Sequence, residues 1–268
     1  MIRHMISLCF LAMLLPVALS AQTTLRAQTP LRVLTTGDAG RGWEAVGRLD
    51  FADGGFCTAS LVAPDLVLTA AHCLFDPRSG GKVDITTARF RMGLREDRAL
   101  VERQIRAGFP HPQYRYQGPQ AFDRVTYDMA LLQLDRPVRI SPVMPFDLGE
   151  VPRKGDPLRV VSYAEGREAL PSLQARCYVI QKNEGRMITD CDVDHGASGA
   201  PVFVMKHGRP QIVGVVSAKA RLEGQPVAVV ADASLMRHML TDLRQPGGQR
   251  AKMVGGAKFL SVPPSVSP

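Results

Sequence analysis

The sequence predicts an all-β protein of paired antiparallel barrels, with about six short strands in each half and one helix at the C-terminal end. Three observations carry this. Glycine and proline number 24 and 20 in 268 residues, as many short strands joined by turns require. Short apolar runs recur in two sets, separated by a connector at about 136–154 with several prolines. Only the segment after Ser234 has the spacing of an amphipathic helix. With 45% hydrophobic and 22% charged residues, the chain has material for a sizeable core.

The ends are expected to lie outside that fold. Arg3 and His4 precede an apolar run from Met5 to Leu19, and small residues follow at Ser20 and Ala21. This is the pattern of a secretory signal peptide over 1–21, which points to a secreted or periplasmic protein. A membrane anchor needs about 20 apolar residues and a firmer stop, and no later segment is long enough to span a bilayer. Loss of the leader removes Cys9 and leaves Cys57, Cys73, Cys177 and Cys191. In an oxidising compartment these form two disulfides, with three connectivities open. No close cysteine pair has metal-ligand spacing, so neither a metal nor a cofactor is expected. The net charge of +8 comes from scattered basic residues without a run or motif, which argues for a solvated surface and against a nucleic-acid partner.

From residue 22 to 42 the chain lacks periodicity and reads as an extended arm. Trp43–Phe51 alternates apolar and polar residues as a half-buried strand does. Asp53-Gly54-Gly55 is a hairpin turn, followed by strands at Cys57–Val62 and Leu66–Thr69 around the turn Ala63-Pro64-Asp65. Further strands are expected near Ala88–Met92, Leu100–Ile105 and Met129–Leu134, with a polar surface loop at Tyr114–Asp123. The second half supplies Leu158–Ser162, Leu173–Gln181, Arg186–Thr189, Ala200–Met205, Gln211–Ser217 and Pro226–Val230. Ser234 then caps a helix whose apolar face is Leu235, Met239, Leu240 and Leu243. Residues 245–268 are Pro/Ser-rich and read as a disordered tail.

The chemistry centres on Asp194-His195-Gly196-Ala197-Ser198-Gly199-Ala200-Pro201. Glycines on both sides of Ser198 permit a tight turn and a close approach of substrate. The amides of Gly196 and Ser198 can then point to one spot beside the hydroxyl, where they would stabilise an oxyanion. A serine is a poor nucleophile without a base. His72, at the end of Leu66-Val67-Leu68-Thr69-Ala70-Ala71-His72-Cys73, follows a buried strand and is flanked by small residues. An imidazole base needs a carboxylate to hold its tautomer. Asp128 opens the apolar run Met129-Ala130-Leu131-Leu132, where a carboxylate is costly without a partner.

In the order His72, Asp128, Ser198, these motifs resemble the chymotrypsin/trypsin-like serine peptidases, especially their compact bacterial members. The resemblance covers roughly 43–244 and implies two six-stranded β-barrels with the site between them. It makes His72 the general base and then acid, Asp128 its orienter, Ser198 the nucleophile, and the Gly196 and Ser198 amides the oxyanion hole. It also implies a Cys57–Cys73 bridge, which leaves Cys177 with Cys191. The activity so implied is that of a secreted serine endopeptidase, a monomer acting on polypeptides. A member that has lost catalysis and serves as a binding module is the alternative.

Several positions depart from the family pattern. Ala197 stands where zymogen-derived relatives carry the aspartate that pairs with a freed N-terminus, so Arg32-Val33 is not expected to be an activation site. Asp192 matches the pocket-base aspartate of trypsin. Ser217 and Lys219 fall on the pocket wall, and Lys219 replaces a glycine there. The lysine could neutralise Asp192, plug the pocket, or bind an acidic side chain. Val216 replaces the histidine of glutamate-cleaving relatives.

Overall fold

The computed structural model describes residues 27–118 and 122–244. The leader expected at 1–21 and the tail expected at 245–268 lie outside the described residues. The chain begins with β1 (Leu31–Val33) and then builds the first barrel. Its strands are β2 (Val46–Asp50), β3 (Phe56–Ala63), β4 (Leu66–Thr69), β5 (Arg89–Met92), β6 (Val101–Pro110) and β7 (Ala130–Leu134). They close in the order β2-β3-β4-β7-β6-β5. Alternation drives the closure: in β5, Phe90 and Met92 are buried while Arg89 is exposed, the period of two that one buried face demands.

A short β8 (Asp147–Leu148) leads to the second set: β9 (Pro157–Ala164), β10 (Arg167–Asn183), β11 (Arg186–Thr189), β12 (Pro201–Lys206), β13 (Arg209–Leu222) and β14 (Gln225–Asp232). Pairing runs β10-β11-β14-β13-β12-β9 and returns from β9 to β10, so six strands form a ring. β1 adds to β10 and β8 adds in parallel to β13. The protein is mostly β, as the pattern of short apolar runs implied.

Each strand foreseen in the sequence is present, Leu66–Thr69 and Arg186–Thr189 with the expected ends and the others with shifted ones. β2 begins at Val46 because Trp43 packs its ring on Phe203, at 5.1 Å between centroids, instead of continuing the ladder. β1 and β8, at three and two residues, are too short to show a period. The helix differs more. Ala233–Met236 is a 3₁₀ turn capped by Asp232, whose side chain accepts the Ser234 amide, and α1 (Arg237–Arg244) follows. Ser234 is therefore not the N-cap. Both implied disulfides form, Cys57–Cys73 and Cys177–Cys191, with sequence separations of 16 and 14. Loops of that size give about 3 kcal/mol each in the chain-entropy model.

The first barrel's core cluster extends across the junction to Val161, Tyr163 and Phe203 of the second. Polar ties cross the same junction. The Tyr163 hydroxyl donates to Leu94 C=O at 2.9 Å, the Arg48 guanidinium to Glu168 C=O at 3.0 Å, and Glu96 N–H to Ala169 C=O at 2.6 Å. Beside these ties the two barrels leave a cleft.

Candidate active site

β4 delivers the histidine. Its four residues are buried, and Ala70 and Ala71 continue inward before the chain turns through a 3₁₀ step at Ala71–Leu74. The Cys73–Cys57 bridge pins that step to β3, leaving His72 half-buried on the cleft wall. Another 3₁₀ turn, Phe122–Tyr127, drops Asp128 into the junction just ahead of β7.

Asp128 has no exposed surface. Its Oδ1 accepts the His72 amide at 2.8 Å, and its Oδ2 lies 2.7 Å from His72 Nδ1. The Ser217 hydroxyl also donates to Oδ2. Burial by itself would push the Asp128 carboxyl up, but the His72 imidazole beside it and these hydrogen bonds hold it below the usual carboxylate range. An ionised carboxylate only accepts, so Nδ1 carries a proton, and in the neutral imidazole that leaves the lone pair on Nε2. Ser217, expected on a pocket wall, lines the cleft and also orients the aspartate.

The serine loop is held plane by plane. The His195 carbonyl accepts from Glu165 N–H at 2.7 Å, and the Gly196 carbonyl from the Thr58 hydroxyl at 3.0 Å. The Ala197 carbonyl accepts from Ala200 N–H at 2.9 Å, and the Ser198 carbonyl from Thr58 N–H at 2.8 Å. The amides of Ala197 and Gly199 donate to Asp194 and Val216 carbonyls at 2.9 and 2.8 Å. Among the described residues, the amides of Gly196 and Ser198 have no acceptor. A peptide plane sets its N–H opposite its C=O, so fixing these carbonyls aims the two unused donors.

Two glycines are obligatory here. Gly196 and Gly199 sit at φ of 86° and 81°, in the left-handed region. A Cβ on Gly196 would meet the Phe56 ring at 2.2 Å, and one on Gly199 would meet Thr58 O and Thr69 Oγ1 at 2.2 Å. The Gly-x-Ser-Gly spacing thus reflects both a backbone and a packing demand.

The cleft, about 770 Å³, is lined by His72, Ser198, Gly196, Ser217, Asp194 and Lys219 among others. The expected pocket residues divide. Lys219 lines the cleft, and its ammonium pairs with Asp194 at 3.0 Å. That hydrogen bond is the main cause holding the Asp194 carboxyl below its ordinary range. Asp192 is exposed, is not among the cleft-lining residues, and uses its amide on Gln174 Oε1 at 2.8 Å. The lysine's partner is therefore Asp194, two positions further on. Thr58, Glu165 and Phe56 were not foreseen as site residues. The only sequence hint was that Phe56 and Thr58 flank a cysteine bridged to the histidine step.

Two barrels with a buried Asp–His pair and a glycine-flanked serine on one shared cleft define a class of β protein. A family model described as Trypsin matches residues 36–237, and the chain belongs to that family. The chain is 30% identical over 190 residues to serine protease 23 of Rattus norvegicus, covering 60% of this chain and 48% of the relative. It is 29% identical over 151 residues to suppressor of tumorigenicity 14 protein homolog of Bos taurus, covering 53% of this chain and 16% of the relative. The chain thus spans less than half the length of either relative.

Proposed function

We propose that this protein is an exported serine endopeptidase that cleaves polypeptides through an acyl-enzyme. The observation that carries the reading is the fully buried Asp128, with both oxygens engaged by His72 and Oδ2 also by Ser217. That arrangement leaves His72 Nε2 as a base on the cleft wall that Ser198 shares. In the reaction, Ser198 Oγ attacks the peptide carbonyl while His72 takes its proton. The amides of Gly196 and Ser198 donate to the oxygen that gains charge. His72 then gives the proton to the leaving amine, the C–N bond breaks, and an ester to Ser198 remains. Water, deprotonated by His72, attacks the ester, and collapse returns the proton to Ser198 and frees the acid. No metal or cofactor enters these steps. The two disulfides agree with an oxidising compartment. Among the described residues no helix is long and apolar enough to cross a membrane.

The test is labelling with a fluorophosphonate. The parent should label at Ser198 and hydrolyse ester and peptide substrates, while a folded Ser198→Ala does neither. A parent that folds but does not label would identify the chain as a binding module with an idle triad.

A further inference from the structure

Thr58 touches the nucleophile loop twice. Its amide donates to the Ser198 carbonyl at 2.8 Å and its hydroxyl to the Gly196 carbonyl at 3.0 Å. The residue is fully buried, and its own surroundings fix the hydroxyl. Tyr163 N–H donates to Oγ1 at 3.1 Å, which occupies one lone pair and leaves the proton for the Gly196 carbonyl, with Tyr163 C=O at 3.2 Å as the competing acceptor. Thr58 is held in turn through its carbonyl, which accepts from Thr69 Oγ1 at 2.9 Å. The residue before it, Cys57, is bridged to Cys73 beside His72. The Phe56 ring abuts Gly196, so three consecutive residues of β3 join the base to the oxyanion donors.

We infer that Thr58 is the positioning residue that keeps the oxyanion hole open without an N-terminal switch. The carbonyls it holds belong to the peptide planes 196–197 and 198–199, which interleave with the planes carrying the two unused donors. If the Gly196 carbonyl loses its partner, plane 196–197 is held only through the Ala197 amide's bond to Asp194 C=O, and its wider swing strains the bonds that hold the planes on either side, which carry the Gly196 and Ser198 amides. Ala197 offers no carboxylate that could hold the loop from the other side. The inference rests on the peptidase reading for its catalytic consequence, though not for the ordering of the loop.

Thr58→Val keeps shape and removes the hydroxyl, whereas Thr58→Ser keeps the hydroxyl. Two measurements separate the claims. Amide hydrogen exchange at Ala197 and Gly199, normalised to the Val67 amide of the first barrel, reads loop order without needing activity. It should rise about tenfold or more in Thr58→Val and stay near the parent in Thr58→Ser. Steady-state kinetics should show kcat falling roughly 10- to 100-fold in Thr58→Val with KM nearly unchanged, somewhat less than the loss of a whole oxyanion donor. Thr58→Ser should recover kcat to within about threefold. Unchanged normalised exchange in Thr58→Val overturns the inference, as does a serine variant that behaves like valine. Raised exchange in a protein whose parent has no activity would sink the peptidase reading and leave the clamp standing.

Discussion

Cutting the chain between Arg32 and Val33 should weaken this protein rather than switch it on. Both residues lie in β1, which pairs with β10 from Leu31 opposite Gln174 to Val33 opposite Ser172. Just ahead, Thr29 N–H donates to Arg176 C=O at 3.0 Å, Arg176 N–H to Thr29 Oγ1 at 2.8 Å, and Gln174 Nε2 to Thr29 C=O at 3.1 Å. A chain that starts at Val33 loses these three bonds and the Leu31 pairing, and leaves the almost fully buried Gln174 short of a partner. At a net 0.5–1.5 kcal/mol per bond the three named bonds alone are worth about 1.5–4.5 kcal/mol. For a protein of this size that lowers Tm by roughly 3–18 °C. Nothing on the other side rewards the cut. A new ammonium at Val33 would need a buried carboxylate, and the position before Ser198 is the fully buried Ala197. Asp194 is already engaged by Lys219. The assay compares a chain from Gln22 carrying Arg32→Gln with one beginning at Val33, by calorimetry and by kcat/KM. A hundredfold gain in kcat/KM on exposing Val33, or an unchanged Tm, would refute the reasoning.

Three further outcomes are expected. Asp128→Asn should lower kcat by about 10⁴, because the imidazole then loses the acceptor that fixes its tautomer; activity within tenfold of the parent would remove His72 and Asp128 from the mechanism. Lys219→Gly should free Asp194 and move the preferred residue at the cleaved bond from uncharged toward Arg or Lys, read from a peptide library. A parent profile dominated by Glu and lost in Lys219→Gly would show instead that the lysine reads the substrate. Because Asp128 is held below its usual value in the folded state, the unfolded chain takes the proton first as pH falls. Its stabilisation is complete above the unfolded value of about 3.9 and fades on descending through the folded one. Denaturant melts at about pH 6 and about pH 3 should then show a larger loss in the parent than in Asp128→Asn, which keeps the share of other depressed carboxylates such as Asp194, and equal losses would contradict the assignment.

The barrels were legible because their strands alternate or run apolar long enough to be read, as Phe90 and Met92 in β5 and the whole of β4 do. The His72–Asp128 pairing was legible for a related reason, since a carboxylate at the head of a buried strand needs a partner. What stayed hidden depends on pairings between residues far apart. Nothing local to Ser217 says that its hydroxyl reaches a residue 89 positions away. Nothing local to Thr58 says that its hydroxyl lies under a carbonyl 138 positions away. The Lys219 question stayed open because either carboxylate, Asp192 or Asp194, was near enough in the chain, and only the turn of the loop decides which side chain faces the cleft. Three-residue β1 has too few side chains to carry a period, and it exists because β10 offers an edge.

That edge also sets an order of events during synthesis. Thr29 leaves the ribosome long before Arg176, its partner 147 positions later. Until β10 emerges, the opening arm has no template and must wait in solvent while the first barrel closes from strands that all lie between residues 46 and 134. The slow step in making this protein should therefore be the return of its beginning to its second half, a long-range closure that strand propensity cannot hasten. A chaperone or translocation machinery that keeps the arm extended would delay completion of the sheet without touching the first barrel.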